Sequence, residues 1–259
     1  MFSSSPLYVN QFLTFTLVFV RVGTLVAIAP IFGSSDVPAR VRALLALALA
    51  VLIVPLQFDK LSGYPDTLVG YLVLVGAEAL IGLTLGLGIV VLFSGMQVAG
   101  QIISQMSGMQ LADVFNPSFN ENVPVFSQLL FYVSVAVFVV IGGHRKVMEA
   151  LLDTFVWLPA GQGDFSRSVV EAMTSLLAQS FVLGVRAAAP VMVALLLATL
   201  LLGLLGRTLP QLNVMALGFG FNALTTLGAL GISLGAAAWI FQDEIDPVLA
   251  TLVAALKAG

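Results

Sequence analysis

The sequence predicts an all-α membrane protein of about six long, partly kinked hydrophobic helices arranged as helical hairpins. Of its 259 residues, 59% are hydrophobic and only 9% are charged, whereas a soluble domain carries roughly 25% charged residues. So few charges cannot cover the outside of a water-soluble fold of this length. The apolar residues also form several runs that are long enough to cross a bilayer, which takes about 20 residues as a helix. The exterior is therefore expected to face lipid or other proteins.

The first two apolar runs, 7–31 and 43–56, predict a tight helical hairpin. The first run would be about 37 Å long at 1.5 Å per residue, which is enough to cross a ~30 Å hydrocarbon core. It closes at Pro30, and a short polar link with Arg40 and Arg42 leads into the second run.

The third run, 68–93, predicts a helix that packs closely against protein on one face. It contains Gly82, Gly86 and Gly88. Small residues at this spacing let two helix backbones approach each other closely in a membrane.

Residues 95–124 are the most unusual segment of the chain, because glutamines recur there among methionines. One interpretation is an amphipathic surface helix, and the other is a re-entrant element that lines a polar cavity. Irregular backbone at membrane depth persists only where protein or water satisfies its polar groups. Methionine favours the second interpretation, since its flexible side chain can seal an irregular opening.

The second half is predicted to contain three further apolar runs, 125–141, 173–205 and 214–241, with an amphipathic interval at 147–171. The run 173–205 would be about 50 Å long as one straight helix, which exceeds the bilayer thickness. Since it contains Pro190, a kink or a protrusion is expected. The residues after 241 are acidic and weakly amphipathic.

Three charged residues, Arg21, Glu78 and Arg186, lie inside apolar runs. An unpaired ion there costs several kcal/mol, so each charge needs a partner. One interpretation is a proton or ion relay, and the other is that the charges fix helix register or pair with a neighbouring subunit. The second is favoured, because a relay needs a chain of titratable groups and only one of the three is an acid.

The residue types that carry catalytic or metal-binding chemistry are nearly absent. The chain has no cysteine and a single histidine, His144, so no metal or cofactor site and no enzymatic activity are expected. Residues 231–235 match the G-x-S-x-G nucleophile pattern, but they lie in an apolar helix, where close packing explains the glycines. No basic stripe suits a nucleic-acid backbone.

Several strings, in order along almost the whole chain, resemble one family. They follow Arg21 in the first helix and are 30–33 (PIFG), 37–42 (VPARVR), 78–86 (EALIGLTLG), 99–108 (AGQIISQMSG), 116–117 (NP), 142–144 (GGH), 189–191 (APV) and 206–215 (GRTLPQLNVM). The sequence thereby resembles the FliR family of flagellar biosynthetic proteins and their virulence-system counterparts, the T-type component of the type III secretion export apparatus. The flagellar branch is preferred. One departure is at 220–222, where the family usually has a proline and a basic residue, so a contact of that basic residue is not expected here.

The resemblance implies a single export-gate subunit domain over 1–259, in which a P-like part is fused to a Q-like hairpin at about 173–241. One copy would join five P-type and four Q-type subunits in a helical, closed channel for unfolded flagellar proteins. A B-type switch subunit and an A-type export subunit are further expected partners. The implied location is the bacterial inner membrane, multi-pass, at the flagellar basal body. Lysine and arginine do not clearly favour one side, so membrane sidedness stays open.

The resemblance also assigns candidate residues. The plug-like segment at about 95–124 would occlude the lumen through Gln105, Met106, Gly108, Met109, Phe115 and Asn116. Helix packing or subunit interfaces are expected at Arg21, Glu78, Gly82, Gly86, Arg186, Arg207, Pro210 and Gln211. The alternative function is a stand-alone multi-pass transporter or permease for a small solute. It is less favoured because the sequence shows no inverted repeat of the kind that many transporters have.

Overall fold

The structure is a computed structural model that describes residues 5–30, 33, 37–58, 67–108, 124–162, 167–208 and 214–257. Within these ranges the chain is helical and contains no strand. The helices are α1 (Ser5–Ile28), α2 (Ala39–Ile53, continued by a 3₁₀ turn at Val54–Leu56), α3 (Leu68–Ser107), α4 (Val125–Val140), α5 (Gly143–Trp157), α6 (Arg167–Thr208) and α7 (Val214–Lys257). The predicted all-α class is confirmed.

Five of the described helices are long and apolar enough to cross a membrane, and a sixth span results if the bent pair α4 and α5, at 67°, counts as one. The expectation of about six hydrophobic elements is therefore confirmed. Helices α3, α6 and α7 have 40, 42 and 44 residues. At 1.5 Å per residue they measure about 60 to 66 Å, roughly twice the thickness of a hydrocarbon core. Each of them must extend well beyond the bilayer core.

Two helices continue past the ends that the sequence pattern predicts. Helix α3 does not stop near residue 93, because Met96, Ala99 and Ile103 continue its buried face at helical spacing. Helix α7 does not stop at residue 241 but runs through the acidic residues to Lys257, since Ile245 and Leu252 are fully buried. In both cases polar residues occupy only one side of a helix whose other side stays in the core.

The chain divides into two compact units, each built from separate stretches of sequence. The first consists of Met1–Val91, Gly142–Leu177 and Asp246–Gly259, and the second of Leu92–Ile141 and Ala178–Ile245. Helices α3, α6 and α7 each contribute one part to each unit.

In the first unit, α1 packs on α2 and α3, and α5 covers the charged centre described below. Helix α5 begins after Gly142, whose φ of +74° lies in the left-handed region that favours glycine. Its buried face comprises Gly143, Val147, Ala150, Leu151, Thr154 and Phe155. The amphipathic character predicted for this part of the chain is therefore observed.

In the second unit, Phe93 of α3 is the centre of an aromatic cluster. Its ring centroid lies 5.7 Å from that of Phe131, 5.4 Å from Phe138 and 5.2 Å from Phe241, all in edge-on geometry. Edge-on pairs of this kind stabilise a core by about 0.5 to 1.5 kcal/mol each beyond their burial. The cluster joins α3, α4 and α7.

Helices α6 and α7 form an antiparallel hairpin in the second unit. Arg186 of α6 contacts Glu244 of α7, and farther along α6 the side chain of Leu202 lies 3.6 Å from the Cβ position of Gly218. Because a later residue on α6 contacts an earlier residue on α7, the two helices run in opposite directions. Together the two helices extend beyond the range 173–241 that was predicted for a C-terminal hairpin, and the Q-like character of this hairpin stays a prediction.

Candidate functional site

Arg21 of α1 and Glu78 of α3 form a fully buried ion pair. The Nε atom of Arg21 donates to Oε2 of Glu78 at 2.5 Å, and Nη2 donates to Oε1 at 3.0 Å. This two-bond arrangement matches the planar guanidinium to the carboxylate and is the strongest form of charged hydrogen bonding in proteins. Two of the three intramembrane charges singled out in the sequence are therefore partners of each other.

The segment around the end of α5 completes this charged cluster. Nη1 of Arg21 donates to Oγ1 of Thr154 at 3.2 Å and to the carbonyl oxygen of Leu158 at 3.0 Å. The backbone N–H of Gly161 donates to Oε1 of Glu78 at 2.7 Å. A buried ion pair is stable only when further hydrogen bonds replace the water that both ions lose. The cluster therefore holds three parts of the first unit, α1, α3 and the end of α5, in one arrangement.

Sequence reasoning missed the residues that complete the cluster. Phe155 places its ring 4.3 Å from Cζ of Arg21, in cation–π geometry. Thr154, Leu158 and Gly161 act through a hydroxyl or through backbone atoms. The only signal in the sequence was the group of turn-forming residues after Trp157, which indicates a bend but not what it binds.

The geometry of the cluster favours the structural interpretation of the buried charges. Glu78 accepts hydrogen bonds from three N–H groups, and within the described ranges no second acid bonds to either member of the pair. A proton relay would need a neighbouring titratable group to pass the proton on. An arginine held by a carboxylate and two oxygen acceptors does not supply one, because it stays charged.

Gly82 and Gly86 place α3 against α1 beside the ion pair. A Cβ atom at Gly82 would overlap Oγ1 of Thr24 and the carbonyl oxygen of Arg21, and one at Gly86 would lie 3.1 Å from Cβ of Ile28. Only glycine fits at position 82 without moving the backbone that carries Arg21. The two glycines thus lie at a close contact between α3 and α1, and their assignment as packing or interface residues stays a prediction.

The glutamines of α3 lie on one face of the helix. Gln97, Gln101 and Gln105 are four residues apart, and Gln101 and Gln105 are exposed. The helix ends at Ser107, after which Gly108 has a φ of +75°, the usual left-handed end of a helix. The first part of the predicted plug-like segment is therefore an amphipathic helix.

The other predicted plug residues are described only in part. Gln105 is exposed and Met106 half-buried in the last turn of α3. Met109, Phe115 and Asn116 lie outside the described residues. For residues 109–123, both interpretations, a surface helix and a re-entrant element, therefore stay predictions.

The remaining charged candidates lie apart from the buried cluster. Arg186 is half exposed and donates to Oε1 of Glu244 at 3.1 Å. Arg207 is exposed in the last turn of α6, where a positive charge stabilises the negative end of the helix dipole. Pro210 and Gln211 lie outside the described residues.

The most apolar stretches of the two longest helices, α6 and α7, contain few buried residues and many exposed apolar ones. In the most apolar 18-residue stretch of each helix, 22% of α6 and 28% of α7 count as buried, compared with 61% of α3. On α7, a Cβ atom added at Gly228, Gly231 or Gly235 would meet no other atom within 4 Å. Packing against the described helices of the same chain therefore does not account for the glycines at 231–235, and the expectation of close packing there stays a prediction.

No group of three or more His, Cys, Asp or Glu side chains in the described ranges is arranged to hold a metal ion. His144 lies half-buried in the first turn of α5. The described residues form a buried, hydrogen-bonded ion pair, a polar glutamine face and a large exposed apolar surface. These features suit a subunit of an assembly.

Comparison with known protein families shows which kind of protein carries this surface. The model of the family described as bacterial export proteins, family 1, matches residues 12–248. The chain belongs to this family. With its apolar spans, this membership confirms the predicted location, a multi-pass protein of the bacterial inner membrane at the flagellar apparatus.

Individual members of the export family named "Flagellar biosynthetic protein FliR" align with most of the chain. The protein of Escherichia coli strain K12 is 31% identical over 218 residues, which cover 84% of this chain and 81% of that protein. The protein of Pectobacterium carotovorum is 29% identical over 255 residues, 97% of each chain. That of Caulobacter vibrioides is 29% identical over 233 residues, 90% of this chain and 93% of that protein. The resemblance inferred from the sequence motifs is confirmed.

Proposed function

We propose that the chain is a core subunit of the flagellar type III protein export gate. In this role it assembles with P-type and Q-type subunits, expected in five and four copies, into a closed channel for unfolded flagellar proteins. The B-type switch subunit and the A-type export subunit are the further partners expected at this gate. The observation that carries the proposal is the uncovered apolar surface of α6 and α7.

The length of these helices is the reason why lipid alone does not account for their surface. About 30 Å of each helix can lie in the hydrocarbon core, whereas the helices measure about 63 and 66 Å. Apolar side chains beyond the core would face water, and a monomeric protein rarely exposes a contiguous apolar patch of more than a few hundred Å². Partner subunits of the same elongated, helical kind would cover this surface.

The glycines of α7 support the same role. A Cβ atom added at Gly228, Gly231 or Gly235 would meet no atom of the described residues within 4 Å, although glycine in a helix interior costs about 0.5 to 1 kcal/mol relative to alanine. Glycines at this spacing allow another helix to approach closely. A helix of a partner subunit on this side of α7 would give them a packing function.

The glutamine face and the residues after it are proposed to close the channel from inside. Gln105 and Met106 end α3 with their side chains at least partly exposed, and residues 109–116 follow them in the sequence. Polar amides can contact water in a lumen, and methionine side chains can seal an opening and still yield. The alternative of a stand-alone solute transporter receives no support from a specific feature of the described residues.

Site-specific photocrosslinking from α7 tests the proposed assembly. A photoreactive amino acid at Ile232, which is 89% exposed, is expected to crosslink to a P-type or Q-type subunit in flagellated cells. The matched control is the same variant in cells that lack the genes of those subunits, where the crosslinked band should disappear. Crosslinks only to lipid in both strains would contradict the proposal.

A further inference from the structure

A groove of about 290 Å³ lies between α1 and α2 in the first unit. Arg42 is its only charged lining residue, and the others are apolar and mostly small, among them Gly23, Ala27, Ala43 and Ala46. Its volume is just below the range of small-molecule sites in proteins, roughly 300 to 1,000 Å³. The groove belongs neither to the buried charged cluster nor to the glutamine face.

Gly23 shows that the floor of the groove is open. A Cβ atom at this position would meet no other atom within 4 Å. Glycine in the middle of a helix is unfavourable, and here no neighbour in the described chain requires it for close packing. The effect of the small residue is instead to leave room between α1 and α2.

The end of the groove near the start of α2 is positively charged. Nη1 of Arg42 donates to the carbonyl oxygen of Gly33 at 3.3 Å, but its Nε atom is buried without a hydrogen-bond partner. In the part of the chain that the structure describes, neither Arg40 nor Arg42 forms an ion pair with a carboxylate. A guanidinium has five N–H donors, so further donors on its Nη atoms remain for a ligand.

The N-terminus of α2 adds to this positive potential. Its first turn contains no acidic residue, and its N-cap residue, Pro38, provides no side-chain hydrogen bond. The first N–H groups of a helix lack partners within the helix, and they carry the positive end of the helix dipole. A positive side chain such as that of Arg42 is unfavourable at this end of a helix unless an anion lies nearby.

We propose that this groove binds an anionic phospholipid, with its phosphate at Arg42 and part of an acyl chain along the floor formed by Gly23, Ala43 and Ala46. The lipid is the occupant that matches both the charge and the apolar floor. Both helices are candidate membrane spans, and Arg42 lies one turn from the end of the span Ala39–Leu56. An arginine one turn from the end of a membrane span lies near the interface, where it can contact lipid phosphates. A free phosphate would leave the apolar part of the groove empty.

Native mass spectrometry tests the proposal. The full chain is purified with its co-purifying export components, delipidated in detergent and then incubated with the probe lipid before the retained lipid is measured. Phosphatidylglycerol is the probe, and phosphatidylethanolamine is the lipid control. The wild type is expected to retain phosphatidylglycerol preferentially. Arg42→Gln should lower the retained fraction about fivefold, the usual effect of one basic residue near an anionic surface.

Two further variants separate the groove from general surface charge. Arg40→Gln removes the same charge two residues away, from an exposed side chain that does not line the groove, so retention should stay close to that of the wild type. Gly23→Leu fills the open floor without meeting another atom at its Cβ and should lower retention several-fold while leaving the unfolding temperature unchanged. If Gly23→Leu does not fold, Ala43→Leu takes its place.

The proposal is overturned if Arg42→Gln and Arg40→Gln lower retention equally, because the lipid would then respond to surface charge alone. It is also overturned if wild type retains both lipids to the same extent. A photoreactive residue at position 23 gives an independent result. Crosslinking to phosphatidylglycerol supports the site, whereas crosslinking to a protein chain identifies a partner helix as the occupant and contradicts it.

Discussion

At the scale of single residues, the fully buried pair of Arg21 and Glu78 is expected to be sensitive to substitution. Glu78→Ala leaves a fully buried guanidinium without its carboxylate, which typically costs about 3 to 5 kcal/mol. We therefore expect a clear fall in the unfolding temperature of the detergent-solubilised protein and weaker co-purification of its partners.

The control for Glu78→Ala is Lys146→Ala. Lys146 contacts Asp246 at 2.6 Å in the same unit, but both side chains are substantially exposed, and exposed pairs contribute about 0 to 1 kcal/mol. Lys146→Ala should leave stability and co-purification nearly unchanged. Normal co-purification of the Glu78→Ala variant would count against the role of the pair in assembly.

A second residue-scale prediction concerns the approach of α3 to α1. Gly82→Ala places a methyl group where Thr24 and the carbonyl oxygen of Arg21 already lie, so the backbone must shift, at a cost of about 1 to 3 kcal/mol. Gly76→Ala, in the same helix, meets no atom within 4 Å and should stabilise by up to about 1 kcal/mol. Thermal unfolding of both variants measures the difference, and equal effects would show that the close approach does not matter.

At the scale of elements, the end of α3 and the residues after it are expected to control leakage. Deletion of residues 105–115 should leave the assembly intact but conductive to small ions, since the packing helices remain while the closing segment is lost. Conductance of the reconstituted gate in planar bilayers measures this effect.

The control for this deletion is the double variant Gln101→Ala and Gln105→Ala, which keeps the chain length and removes two amides of the glutamine face. It should leak less than the deletion. An unchanged resting conductance in the deletion variant would show that the plug assignment is wrong.

The elements were largely predictable from the sequence, because long apolar runs determine where helices cross a membrane. Their ends were not. The pattern placed the ends of α3 and α7 near residues 93 and 241, whereas the helices end at Ser107 and Lys257. Polar residues that share a helix with a buried apolar face look like an interruption in a hydropathy profile, although they change only one side of the helix.

The candidate site was predictable in part for a different reason. The apolar surroundings of Arg21 and Glu78 showed that each needs a partner, but a pairing across 57 residues depends on how α1 packs against α3. The contributions of Leu158 and Gly161 come from backbone atoms, which no side-chain pattern in the sequence can reveal. The glycines at 82 and 86 could be recognised because small residues four apart indicate a face on which another helix can approach closely.

At the scale of the whole molecule, the apolar surface of α6 and α7 determines the behaviour of the chain. Only 22% and 28% of their most apolar 18-residue stretches are buried, and the helices are about twice as long as the hydrocarbon core, so we expect other proteins beside them. Assembly with partner subunits is thus the central claim, and the charged cluster of the first unit is expected to keep the subunit in the shape that the partners bind.

Native mass spectrometry of the chain, expressed with and without its neighbouring export genes, tests this claim most directly. With them, we predict a single copy in a complex with several P-type and Q-type subunits, and without them an unstable or aggregated chain. A stable, solitary homo-oligomer that carries a small solute across vesicle membranes would contradict it.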